Sequence, residues 1–362
     1  MRKIKGFQRG MGIGGWLTNY KRFNVLPNEW RMPITVGDME HFAEYITESD
    51  IKSIAEMGFD HVRVGFDQIV LESEPYVYRE EIIKLLKSFV SWCGKYGLTP
   101  VLNLHKAIGN YCDIEEKVKL LESGALQDRF IAMWLKLEEI FTNDGSVMFE
   151  LLNEVRNVDP ALWNTLAEKT LTALREKNKT RWIIIGSTCW NSPATLKELK
   201  TYDDEYVIYT YHNYEPFEFT HQRGVLQSAP LYYNRKMEYP SDDIERYREY
   251  KRLIAGEIEP YKQYEKIDIS FLRDKMRGAA DFVKANPDKI LWLGEFGTIR
   301  HADINSRINY MRDVIAVAKE SDIPYCVWNY LSTPNDGNRF SLVDDDTRKI
   351  LSDELLSALL GE

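Results

Sequence analysis

Across 362 residues, 44% hydrophobic and 28% charged, the chain has an ordinary globular composition, and its length suits two domains or one large barrel. A formal net charge of −9 and the lack of any basic run argue against a nucleic-acid partner and favour a neutral substrate over a polyanion. No window approaches a membrane span, and the four cysteines (Cys93, Cys112, Cys189 and Cys326) form no CxxC pair, so buried thiols are expected rather than a zinc site or disulfides.

The N-terminal stretch MRKIKGFQRGMGIGG is basic but lacks an apolar h-region, so no signal peptide is read. A cytoplasmic protein, or a secreted one already trimmed of its leader, is expected. Short apolar runs then alternate with amphipathic stretches. Strands are predicted at 12–17, 60–66, 99–104, 146–152, 181–186, 206–211, 290–294 and 324–329. Helices are predicted at 48–57, 79–96, 126–143, 160–177, 195–200, 271–285, 304–320 and 346–360. Leu126, Phe130, Trp134, Leu137 and Phe141 recur at three- and four-residue steps and make one helix face. Thr47 with Asp50 forms a capping-box pattern, and Asp303 is a predicted N-cap.

Eight strand–helix units in series predict an α/β fold, a single (β/α)8 barrel over residues 1–362. A doubly wound sheet is the rival. Its Gly-rich turn is missing: Gly10, Gly12, Gly14 and Gly15 lack GxGxxG spacing and precede Trp16 rather than a helix. A tight backbone at the barrel mouth accounts for them better. After the sixth strand the rhythm breaks for about fifty residues, Glu215 to Ile269, rich in tyrosine and phenylalanine. This segment is predicted to be an inserted subdomain over the C-terminal face, with a charged helix over 242–256.

In such barrels the chemistry sits at strand C-termini. Two strand-like runs there end in glutamate: VMFELLNEVRN (Glu154) and ILWLGEFGT (Glu295). A glutamate beside buried apolar residues loses water around its charged form, and two of them suggest carboxylates working as a pair. Glycosidic bond cleavage most needs such a pair, one carboxyl protonating the leaving oxygen while the other attacks or activates water. The other strand ends supply Arg63, His105, Asn153, His212, Tyr214 and Trp328.

Taken together, HVRVGF (Arg63), LNLHKA (His105), LLNEV (Asn153, Glu154), YHNY (His212, Tyr214), LGEFG (Glu295) and VWNY (Trp328) resemble glycoside hydrolase family 5 and, more narrowly, a group of its clostridial endoglucanases. The resemblance runs from Gly12 to about Trp328 and includes an insertion after the sixth strand. Two positions depart from much of the family: Val155 stands where proline is common, and Val64-Gly65 where Leu-Pro is common. The resemblance implies Glu154 as acid/base and Glu295 as nucleophile, with their carboxyls roughly 5–5.5 Å apart. It implies that Arg63 and Tyr214 hold Glu295 ionised, and that His212 adjusts Glu154. It further implies that Asn153 meets the sugar 2-OH, that His105 contacts the −1 sugar, and that Trp328 forms its floor.

Trp16, Trp190, Asn191 and the insertion's tyrosines are candidates for further subsites, and Asn335, Asp336, Gly337 and Asn338 read as a polar turn near the cleft. His41, His61, His221 and His301 show no metal spacing and are read as structural. No cofactor and no metal are expected, and the protein is expected to act as a monomer. The function predicted is that of a retaining endo-β-glucanase on β-1,4- or mixed-linkage β-1,3-1,4-glucan. Mannanase, xyloglucanase and exo-β-1,3-glucanase specificities are the alternatives, followed by a non-catalytic carbohydrate-binding barrel. An aldolase is disfavoured because it needs a desolvated lysine on a strand and none of the predicted strands carries one. A metal-dependent enolase-type enzyme is disfavoured because only two strand-end glutamates are present.

Overall fold

The computed structural model describes residues 2–23, 34–111, 117–333 and 336–362. Cys112 and Asn335 lie outside the described residues. Eight parallel strands close into a barrel: β1 (Arg9–Leu17), β2 (His61–Asp67), β3 (Thr99–Lys106), β4 (Met148–Glu150), β5 (Ile183–Gly186), β6 (Val207–Asn213), β7 (Ile290–Phe296) and β8 (Tyr325–Val327). All eight predicted strands are present. β1 pairs with both β2 and β8, which is the closure. An antiparallel pair, Glu72–Glu74 with Val77–Tyr78, and a helix at Val36–Glu44 were not foreseen.

Local sequence explains the element ends. Thr47 and Asp50 form the capping box that starts the helix Glu48–Glu56. Asp159 caps Pro160–Lys177, where proline at the first turn sacrifices no helical hydrogen bond. Asp303 accepts from the Asn305 backbone N–H at the start of Ile304–Lys319. Three helical predictions need correction. The 195–200 helix is a 3-10 turn at Pro193–Glu198. The 271–285 helix breaks at Met276 into Ile269–Lys275 and Arg277–Ala285. The last helix begins only at Asp353, because Asp344 captures the amides of Asp346 and Thr347 in a turn and Ser352 caps the true start.

The helices lay one apolar face on the outside of the barrel. On Gly124–Phe141, the buried Phe130, Trp134, Leu137 and Phe141 form the predicted stripe. Two helix tryptophans also donate to strand-end carbonyls, Trp134 to Leu151 at 3.2 Å and Trp163 to Gly186 at 2.8 Å, and so pin the ends of β4 and β5. Inside the barrel, a second cluster contains Val101, Met148, Ile184, Ile208, Ile290, Trp292 and Cys326. Two residues further along the strands the interior becomes polar, with Asn103, Glu150 and Thr210 all fully buried. Two further along again, His105 and His212 reach the mouth. The strand period of two thus carries the interior from apolar floor to chemical site.

Candidate active site

The C-terminal mouth opens into a cleft of about 1350 Å³, lined by Glu154, Glu295, His105, His212, Tyr214 and Trp328 among others. The β6–β7 register pairs His212 directly with Glu295. Ligand atoms of Glu154, His212 and Glu295 all lie within 4.8 Å of one another. Two carboxyls at this range share one small site.

Their environments differ. Glu295 accepts from Tyr214 Oη at 2.9 Å on Oε2, while Oε1 is bonded by the Arg63 guanidinium. Burial pushes this carboxyl up, but Arg63, His212 and Tyr214 together outweigh it and hold it below the usual range. Glu154 has His212 Nδ1 at 2.9 Å on Oε1 and, among the described residues, no direct arginine contact. Burial raises it, the negative Glu295 adds to the rise, and His212 offsets only part. One carboxyl is therefore held ionised beside another that favours its proton, which is the division of roles that acid-assisted acetal cleavage requires.

Asn191 settles how His212 works. Its Nδ2 donates to the Asn153 carbonyl at 2.7 Å and lies 3.2 Å from His212 Nε2. An amide nitrogen can only donate there, so Nε2 accepts and Nδ1 carries the hydrogen that faces Glu154. Arg63 is fixed in turn by Glu150, with Nε to Oε2 at 2.6 Å and a second nitrogen to Oε1 at 2.9 Å, and by Asn153 Oδ1 at 2.6 Å. Glu150 did not enter the sequence reading. Its signal was available, since it is the lone charge inside the apolar run MFELL. His105 stacks flat on Trp328, with centroids 5.4 Å apart and planes 4° apart.

Trp328 lies over glycine. A Cβ on Gly14 would come within 2.5 Å of its indole, and one on Gly12 within 2.8 Å. Gly12 and Gly14 thus do give a close backbone at the barrel mouth, whereas Gly10 packs against His61 at the start of β2.

Two of the three candidate distal subsites need correction. Trp16 is fully buried, donates to the Phe42 carbonyl at 2.6 Å and packs edge-on against Phe89, away from the cleft. Asn191 is fully buried beneath His212 and offers no surface to a ligand. Trp190 is 41% exposed and lines the cleft. Most of the tyrosines between 215 and 269 also turn away from it: Tyr239 bonds Asp313 at 2.7 Å, and Tyr261 bonds the buried Glu218 at 2.8 Å. Phe217, Leu226, Gln227 and Ala229 are the residues of this segment that face the cleft beyond Glu215 and His221. Asp336 and Asn338 line it as well.

A closed parallel barrel carrying a carboxylic acid and a carboxylate at its mouth is the architecture of a barrel glycosidase. A family model for cellulase, glycosyl hydrolase family 5, matches residues 27–333. Endoglucanase C of Acetivibrio thermocellus is 36% identical over 98% of both chains. Endoglucanase C307 of Clostridium sp. (strain F1) is likewise 36% identical over 98% of both. Among solved structures, Thermotoga maritima Cel5A in complex with cellobiose superimposes with a TM-score of 0.73 at 26% identity, covering 98% of each chain. The chain belongs to glycoside hydrolase family 5.

Proposed function

We propose that this enzyme is a retaining endo-β-glucanase acting on β-1,4-glucan, mixed-linkage β-1,3-1,4-glucan or both. The observation that carries this reading is the separation of the two carboxyls. Oxygens of Glu154 and Glu295 approach within 4.8 Å, whereas inversion needs roughly 6.5–9.5 Å to admit water between nucleophile and sugar. The glucan preference is supported by the endoglucanase relatives, which match this chain along nearly its whole length.

In the first step Glu154 gives its proton to the glycosidic oxygen as the Glu295 carboxylate attacks the anomeric carbon. The leaving chain departs as an alcohol and a glycosyl ester remains on Glu295. In the second step Glu154, now ionised, takes a proton from water, whose oxygen displaces Glu295 from the same carbon. Two displacements restore the starting configuration and both carboxyl groups. Arg63 and Tyr214 stabilise Glu295 as nucleophile and again as leaving group. Asn153 is placed by Arg63 to meet the 2-OH, His105 contacts the −1 sugar, and Trp328 supplies an apolar floor for it. The 215–269 segment acts as an inserted wall of the cleft through Phe217 and the 226–229 turn.

The test is chemical rescue. Glu295→Ala is expected to lose nearly all activity, and azide to restore turnover with a product of inverted configuration. Glu154→Ala is expected to keep more activity on aryl glycosides with good leaving groups, which need no proton at departure. Equal sensitivity of both variants to leaving-group pKa would defeat the assignment.

A further inference from the structure

His221 enters the site from the short helix Phe217–Thr220 that follows β6, and its ring is 6% exposed, at the cleft wall. Three aromatic rings fix it. It stacks on Phe217 with centroids 4.2 Å apart, and it meets Tyr214 at 5.1 Å and Phe340 at 5.0 Å. Tyr214 is the residue that bonds Glu295, so the imidazole stands on the nucleophile's side of the cleft.

The hydrogen bonds around it set its tautomer. Thr220 Oγ1 has a single hydrogen, and its shortest contact is the Tyr214 carbonyl oxygen at 2.6 Å, which can only accept. Toward His221 Nδ1, 3.0 Å away, the same hydroxyl must therefore accept, and Nδ1 carries the ring hydrogen. Nε2 is left with a lone pair. It has no partner among the described residues, although the ring is more than nine-tenths buried and faces a cleft.

We propose that His221 Nε2 is a substrate contact, accepting a hydrogen bond from one hydroxyl of the bound sugar beside Glu295, and that it selects for glycosides bearing that hydroxyl. Burial lowers the imidazole to about 3, so it stays a neutral acceptor over the range in which the carboxyl pair works. A lysine or protonated histidine there would oppose a hydroxyl donor. A buried acceptor also discriminates more sharply than an apolar wall, since a ligand lacking the donor leaves it unsatisfied. The inference rests on the glucanase reading and adds a specificity-determining residue to it.

The experiment compares wild type, His221→Phe and His221→Gln on an aryl β-cellobioside and on its singly deoxygenated derivatives. Phenylalanine keeps the stack on Phe217 but has no acceptor, whereas glutamine can place an oxygen near the Nε2 position. His221→Phe is expected to lose roughly tenfold in kcat/KM, mainly through KM, with glutamine recovering part of it. On the one derivative lacking the contacted hydroxyl, the penalty of His221→Phe is expected to vanish. An equal loss on every derivative would mean that His221 only supports Tyr214, and no loss on any would mean no contact; either overturns the proposal. If wild type spares the cellobioside but cleaves another β-glycoside, the glucanase reading fails instead, and the same comparison on that glycoside decides His221.

Discussion

Glu154 and Glu295 are the same side chain tuned in opposite directions, and the tuning predicts the pH profile. Glu295 must be ionised and Glu154 protonated in the productive state. kcat/KM should therefore rise as pH climbs through the depressed Glu295 value and fall as it passes the raised Glu154 value. His212 lowers both carboxyls. Its removal in His212→Phe should move both limbs of the bell to higher pH, along with a lower maximum. A bell that stays in place, or shifts toward acid, would show that His212 does not govern the pair. Glu150 makes a different prediction. It and Arg63 are both fully buried, and Arg63 would lose a two-point partner in Glu150→Ala. Breaking such a pair typically costs about 3–5 kcal/mol. Denaturant unfolding should show a loss of this order, and a loss below about 1 kcal/mol would mean that Asn153 and Glu295 satisfy the guanidinium alone.

At the level of elements, β1 shows both what the sequence reveals and what it hides. Strand alternation would send Gly12, Gly14 and Trp16 to the same side. Gly12 and Gly14 do face the barrel mouth, beneath Trp328. Gly15, however, has φ +72°, and the pairing with β2 shifts between Ile13 and Leu17. That left-handed residue turns Trp16 outward onto Phe89, so the alternation rule fails one residue before the predicted subsite. The eight strands and the polar residues at their ends were legible because burial and period are properties of a few adjacent residues. The fate of Trp16, the depth of Asn191 and the partners of the 215–269 tyrosines depend on distant contacts, which local pattern does not encode. Gly14→Ala tests the close approach directly. Its Cβ would fall 2.5 Å from Cζ2 of Trp328, so the indole must move. The expected result is at least a roughly tenfold fall in kcat/KM with smaller effects on stability. Unchanged kinetics would mean that the Trp328 ring can shift without harm to the site.

At the scale of the whole molecule, the segment after β6 is held together around a buried carboxyl that should make stability depend on pH. The Glu218 side chain is fully buried, with Lys251 Nζ at 3.5 Å and the Tyr261 hydroxyl donating at 2.8 Å. Its other oxygen, Oε2, has no hydrogen-bond partner among the described residues. Burial raises this carboxyl from 4.5 to about 7, Glu215 adds to the rise, and Lys251 offsets part of it. Lys251 is itself raised, because Glu218 and its acidic neighbours outweigh the effect of burial on the ammonium. A carboxyl raised on folding means that the native state binds the proton more tightly than the unfolded chain. The stability it contributes is therefore fully present below about 4.5 and is lost as pH rises through about 7. The shift corresponds to on the order of 3 kcal/mol across that window. Glu218→Gln keeps an oxygen for Tyr261 and does not titrate. Urea midpoints at about pH 5 and about pH 8.5 should show the variant gaining on wild type as pH rises, by up to the amount above. If the gap between the two proteins is the same at both pH values, Glu218 does not change protonation in this window.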